Sequence, residues 1–239
     1  MIKDAIIITG TSSGIGLGLT KYYLEKRYKV IGLARRNPKE LSSYNNYSHI
    51  SMDITDPIAI SKAFDKLLKE IISIKLMVLN AGVLGGIDRL ENISIEDSKN
   101  VLETNLWANK SIIDKLILSK TNLKQVIAIS SGASKNGSAG WGPYSISKAA
   151  LNILINTYSK ENPEIHFSSI APGLVDTAMQ EHITSLDNND NFESINRIQA
   201  AKGTSDMPLP SAIAKDLAIM FEKIYTNEIS GEFFDIRNY

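Results

Sequence analysis

Ala5-Ile6-Ile7-Ile8-Thr9-Gly10-Thr11-Ser12-Ser13-Gly14-Ile15-Gly16 is the stretch from which the rest of the chain can be read. The run Ala5 to Ile8 is short and uniformly apolar, which suits a strand buried on both faces, the kind found in parallel sheets. Three glycines follow at once, and Leu19 to Arg27 has helical spacing. A glycine turn between strand and helix lets the backbone close on a pyrophosphate. The helix N-terminus adds free N–H groups and the positive end of its dipole. The spacing is G-x-x-x-G-x-G rather than the plain G-x-G-x-x-G. No G-x-x-x-x-G-K-[ST] occurs, so an NTP-hydrolysing loop is not indicated. Gly10, Ser12, Ser13, Gly14, Ile15 and Gly16 are therefore candidate dinucleotide contacts, a flexible Gly/Ser turn being the plainer alternative.

Outward from this turn, strand and helix alternate. Lys29 to Ala34, His49 to Met52, Leu76 to Leu79, Val126 to Ile129, Ile165 to Ile170 and Glu232 to Asp235 read as strands. Asp56-Pro57 supplies an N-cap and a first-turn proline to a helix over Ile58 to Ile71. Ser94-Ile95-Glu96-Asp97 opens a helix that runs, with a break allowed, to Leu118. Tyr144 to Ser159 and Ser211 to Ile224 are further helices, while residues 180 to 206 are polar and loosely patterned. The expected fold is α/β: a single doubly wound Rossmann domain over residues 1–239, its parallel sheet of about seven strands covered by helices on both faces. Ligands in such folds bind at the carboxyl ends of the strands.

Composition narrows the function classes. Lys plus Arg is 26 and Asp plus Glu is 26, so net charge is zero, and no nucleic acid or anionic membrane is expected as a partner. The absence of cysteine removes disulfides, Cys-ligated metals and a thiol nucleophile. No stretch approaches the roughly 20 apolar residues of a membrane span, and no signal peptide is evident. A cytoplasmic location is the expectation. His49, His166 and His182 have no ligand spacing, so no metal is expected.

The second expected strand ends in Leu33-Ala34-Arg35-Arg36, with no acid where an NAD-binding fold would hold the ribose 2′-hydroxyl. Two guanidiniums suit a 2′-phosphate, which favours NADP (NADPH) over NAD. Tyr144-x-x-x-Lys148 sets two side chains one turn apart on a helix face, where an ammonium can lower the phenol pKa. The spacing recurs at Tyr22 and Lys26, but on the helix after the glycine turn, directed away from the strand ends. Context separates the two. Ser130-Ser131-Gly132 follows one strand, Asn80-Ala81-Gly82 another, and Pro172-Gly173-Leu174-Val175-Asp176-Thr177 a third, with Asn105 mid-chain.

In this order the set resembles the short-chain dehydrogenase/reductase family, along essentially the whole chain. The resemblance implies that Tyr144 is the general acid and that Lys148 lowers its pKa and binds the nicotinamide ribose. It makes Ser131 a hydrogen-bond donor to the substrate oxygen and Asn105 the holder of a water in the proton relay. Asn80, Ala81 and Gly82 would support the sheet beside the cofactor. Asp53 and Ile54 would lie at the adenine, and Pro172, Gly173, Val175 and Thr177 at the carboxamide. Many NADP-using members carry a basic residue where Ser13 stands, so the NADP expectation rests on Arg35 and Arg36, and some NADH use is compatible with it.

The stretches from Trp141 to Leu151 and from Ala171 to Gln180 are similar to the branch holding benzil and sepiapterin reductases. That resemblance implies NADPH-dependent reduction of a ketone or vicinal dicarbonyl, a small-molecule carbonyl substrate. Trp141 is either an aromatic wall for that substrate or a core or interface residue. Met179 would face the pocket from a substrate lid over 178–206. The apolar Ile146–Tyr158 and Leu106–Leu118 segments, which expose a second face, suggest a homodimer, a tetramer being the other option. The competing readings are a 3-oxoacyl-thioester reductase or NAD-dependent alcohol dehydrogenase of the same family, and a catalytically silent dinucleotide sensor.

Overall fold

A computed structural model describes residues 1–187 and 192–239. The sheet is parallel throughout, with β1 (Ala5–Thr9), β2 (Val30–Ala34), β3 (Tyr47–Ser51), β4 (Ser73–Leu79), β5 (Asn122–Leu123), β6 (Gln125–Ile129), β7 (His166–Ala171) and β8 (Phe233–Asp235). Strand order is β3-β2-β1-β4-β6-β7-β8, and the two-residue β5 pairs with the start of β4. The order reverses between β1 and β4, and the crevice outside their carboxyl ends is where such folds take ligands. The expected seven strands are present, with β5 as an eighth that has too few residues to show a pattern.

Alternation along the strands builds two cores. Ala5 and Ile7 of β1, Met77 and Leu79 of β4, and Val126 and Ala128 of β6 face one side. There they meet α2 (Pro57–Leu67), α4 (Ala108–Leu118) and α6 (Gly142–Glu161). Ile6, Ile8, Leu76, Val78, Ile127 and Ile129 face the other, against α1 (Gly14–Glu25) and α9 (Pro210–Asn227). Phe64, Phe167 and Phe221 are fully enclosed, each such burial being worth ~1.5–3 kcal/mol. At Gly18 the helices α1 and α9 touch so closely that a Cβ would stand 2.5 Å from the Pro210 carbonyl oxygen.

The sequence-level caps recur. Asp56 Oδ1 accepts from Ile58 N at 2.8 Å and Ala59 N at 3.1 Å, and Ser94 Oγ accepts from Asp97 N at 3.0 Å at the start of α3 (Ile95–Leu102). The break allowed before Leu118 is one π-helical turn, Glu103–Trp107, between α3 and α4. The loosely patterned 180–206 stretch holds helix that its pattern does not predict, in α7 (Ala178–Thr184) and α8 (Glu193–Ala201), and 188–191 of the expected lid over 178–206 fall outside the described residues. The short α5 (Ala133–Asn136) completes the chain.

Candidate active site

A cleft of about 570 Å³ opens at the carboxyl end of the sheet. Every site residue expected from the sequence lines it except Gly16 and Asn105, which lie just behind its wall.

The glycine turn forms one end. Gly10 has a φ of +73° and Gly14 of +57°. A Cβ at Gly16 would stand 2.3 Å from the Gly10 carbonyl oxygen and 2.5 Å from Asn80 Nδ2, so only glycine lets the helix start this close to β1 and β4. Asn80 Nδ2 donates to Thr9 O at 2.9 Å and Gly10 O at 3.3 Å. Thr9 Oγ1 in turn accepts from Asn80 N at 2.9 Å and Ala81 N at 3.0 Å. This knot holds the turn open with its amides at the head of α1, a cradle that fits a pyrophosphate. Thr177 Cγ2 closes on Gly14, since a Cβ there would lie 3.3 Å away.

Arg35 and Arg36 stand exposed just past β2, and neither is in an ion pair among the described residues. Asp53 accepts from Thr55 N at 3.0 Å and Thr55 Oγ1 at 2.8 Å. Those bonds, with the Arg35 charge nearby, hold its carboxyl below the usual range. The residues at this end fit a dinucleotide carrying an extra phosphate.

At the other end stand Tyr144, Ser131 and Lys148. Lys148 is buried, and its Nζ donates to Ile129 O at 2.8 Å while lying 5.7 Å from the Tyr144 ring centroid. Burial pushes the ammonium down to about 8. The sequence reading expects Lys148 to depress the phenol. In the structure burial raises the Tyr144 pKa, the neighbouring Ser131 hydroxyl pulls against that rise, and the Lys148 ammonium donates to the Ile129 carbonyl. The other Tyr–Lys spacing lies outside the cleft, with Lys26 Nζ 5.7 Å from the Tyr22 ring centroid.

Asn105 sits fully buried in the π-turn. Its amide pairs twice with Val83, accepting from N at 2.8 Å and donating to O at 2.8 Å, and it donates to Ser147 Oγ at 3.0 Å. Ser147 Oγ passes the link on to Tyr144 O at 2.7 Å. The side chain is thus a fastener between the β4 loop and α6. A Cβ at Gly82 would stand 3.0 Å from Asn105 Oδ1 and 3.4 Å from Lys148 Nζ, so Gly82 leaves room for both.

Ser131 has its own clamp. Ser130 Oγ donates to Asn152 Oδ1 at 2.7 Å, Asn152 Nδ2 to Ser134 Oγ at 2.8 Å, and Ser134 Oγ to Ser131 O at 2.6 Å. Tyr144, Lys148 and Asn152 are four apart on α6, so one helix face holds the phenol, the ammonium and the amide that steadies the serine. Thr9, Ser147 and Asn152 are absent from the sequence-derived set. The four-residue spacing to Asn152 was the available signal.

Trp141 belongs to a core cluster and also lines the cleft. It is buried, and it lines the cleft with its ring centroid 6.2 Å from that of Tyr144. It packs with Leu84, Ile183 and Ile198 in a third apolar cluster, against which Met179 also lies, and its Nε1 donates to Ser194 Oγ at 2.5 Å. Pro172, Gly173 and Val175 form the wall beyond β7.

The short chain dehydrogenase family matches residues 4–188. The chain belongs to that family. Among its relatives, a benzil reductase ((S)-benzoin forming) from Bacillus subtilis is 30% identical, over 99% of this chain and 99% of its own. An NADPH-dependent pterin aldehyde reductase from Arabidopsis thaliana is 27% identical over 73% of this chain and 76% of its own. A solved short chain dehydrogenase/reductase from Saccharomyces cerevisiae superimposes with a TM-score of 0.86 at 26% identity, covering 98% of this chain and 96% of that one. This short-chain dehydrogenase is accordingly an oxidoreductase with a dinucleotide-binding fold. Among its described residues no helix is long and apolar enough to cross a membrane, and no group of three metal-ligating side chains forms.

Proposed function

We propose that the protein is an NADPH-dependent carbonyl reductase that converts a ketone or vicinal dicarbonyl to an alcohol. The observation that carries this reading is one cleft with Tyr144, Ser131 and Lys148 at one end and, at the other, Arg35 and Arg36, which have no ion pair among the described residues. The benzil and pterin aldehyde reductases among its relatives support the substrate class.

NADPH bound along the glycine turn supplies the hydride. Arg35 and Arg36 grip its 2′-phosphate through charge-assisted hydrogen bonds. Tyr144, held protonated by its surroundings, gives its phenolic proton to the carbonyl oxygen. Ser131 donates a hydrogen bond to that same oxygen. Lys148 keeps a positive charge behind the phenol as it loses its proton. Trp141 and Met179 shape the apolar side of the pocket, and Asn105 positions α6 through Ser147.

The test is the initial rate of NADPH oxidation with benzil, with Tyr144→Phe as the blank. Loss of the proton donor is expected to lower kcat by about 10²–10⁴-fold while NADPH still binds, as read from its fluorescence. Turnover equal in wild type and variant would sink the reading.

A further inference from the structure

The cleft is lopsided in charge although the chain is neutral. Arg35, Arg36, Lys148, Arg197 and Arg237 line it, against one carboxylate among the described residues, Asp53, at the Arg35 end. Four of the five cations are accounted for. Arg35 and Arg36 flank the phosphate end, Lys148 stands behind Tyr144, and Arg237 is neutralised by Asp235 at 2.5 Å. Arg197 has no such role. It stands exposed on α8, at the rim shared by the cleft and a neighbouring surface pocket that also holds Asp206 and Asp216, and no ion pair or hydrogen bond engages it among the described residues, although Glu193 lies one turn earlier on the same helix.

Ser194 shares that face of α8, three residues before Arg197, and lines the cleft with it. Its Oγ accepts the Trp141 indole N–H, so its own hydroxyl hydrogen is directed elsewhere. Beside the apolar wall of Trp141, Ile183 and Ile198, α8 therefore presents a guanidinium and a hydroxyl donor to an end of the cleft that no described acid lines.

We propose that Arg197 and Ser194 bind a carboxylate carried by the carbonyl substrate, so that the preferred substrates are acidic aryl or alkyl carbonyl compounds. A single planar fork with one hydroxyl beside it matches the two oxygens of a carboxylate. This inference rests on the carbonyl-reductase reading and adds the charge of the substrate to it.

The experiment compares benzil with benzil-4-carboxylate. Wild type is expected to show a kcat/KM at least tenfold higher for the carboxylate. That ratio should collapse towards one in Arg197→Gln, recover in part in Arg197→Lys, and shrink with added NaCl. A wild-type ratio near one, or a ratio unmoved by Arg197→Gln, overturns the proposal. So does a rise in the KM for NADPH in Arg197→Gln that matches the loss, since the arginine would then serve the cofactor. If neither diketone is reduced, the carbonyl-reductase reading has failed on its own account, and calorimetry of benzil-4-carboxylate on the NADP⁺-loaded protein decides the inference. Binding weakened tenfold by Arg197→Gln upholds it, while equal or absent binding overturns it.

Discussion

Lys148 holds its ammonium where burial works against the charge, at about pH 8 rather than the usual range for lysine. Tyr144 is shifted the other way and stays protonated as Lys148 loses its proton. Raising the pH through 8 therefore removes a charge that the reduction uses and leaves the acid in place. The reductive kcat/KM is expected to be level below about pH 7.5 and to fall about tenfold per unit above 8. A profile level to pH 10 would mean that the ammonium is dispensable. Asn152 acts at one remove, through Ser130 and Ser134, so Asn152→Ala should lower kcat about tenfold by loosening Ser131. The KM for NADPH should not change, and Asn152→Ser should recover part of the rate. Tyr144 and Lys148 were legible in the sequence because one helical turn joins them. Ser147 was not, because its partner Asn105 comes from another part of the chain, and Asn152 showed only its four-residue spacing from Lys148, its partners Ser130 and Ser134 lying elsewhere.

At the scale of elements, our reading of the cofactor rests on the end of β2. Arg35 and Arg36 are free of ion pairs among the described residues, and each charge-assisted contact to a phosphate is worth about 1.5–3 kcal/mol. The double substitution Arg35→Ala, Arg36→Ala should raise the KM for NADPH by two orders of magnitude or more and change that for NADH little. Steady-state titration with each cofactor checks it. Elements with local signals were legible: Asp56-Pro57 marks the start of α2, and the apolar run of β1 marks a central strand. The π-turn was not, because the residues from Ile95 to Leu118 keep helix-like spacing through it. An extra residue in one turn changes which way Asn105 faces without changing composition. In α8, Ile195, Ile198 and Ala201 keep a helical rhythm, but Asn, Asp and Ser around them mask it.

For the whole molecule, the two sheet cores leave apolar side chains of α4 and α6 uncovered. On α6, Leu151 and Ile155 are buried, while Ile146 and Ile153 remain exposed, and Trp107 and Leu118 are exposed at the two ends of the α4 segment. Burying such side chains is worth ~1.5–3 kcal/mol each, and in our reading a second copy of the chain covers them. Light scattering should give twice the mass of the 26.3 kDa chain, and Ile153→Lys should shift it towards the monomer. A wild-type monomer at micromolar concentration would end that reading.

The third apolar cluster has a consequence of another kind. Leu84, Trp141, Ile183, Ile198, Ala201 and Met207 pack among themselves, apart from the two cores that flank the sheet. The pocket mouth thus owns a small core whose repacking need not disturb strand pairing or the glycine turn. Because Tyr144 packs against this same cluster, substitutions in α7 and α8 reach the proton donor as well as the pocket mouth, so a change in what enters is coupled to the seating of the phenol.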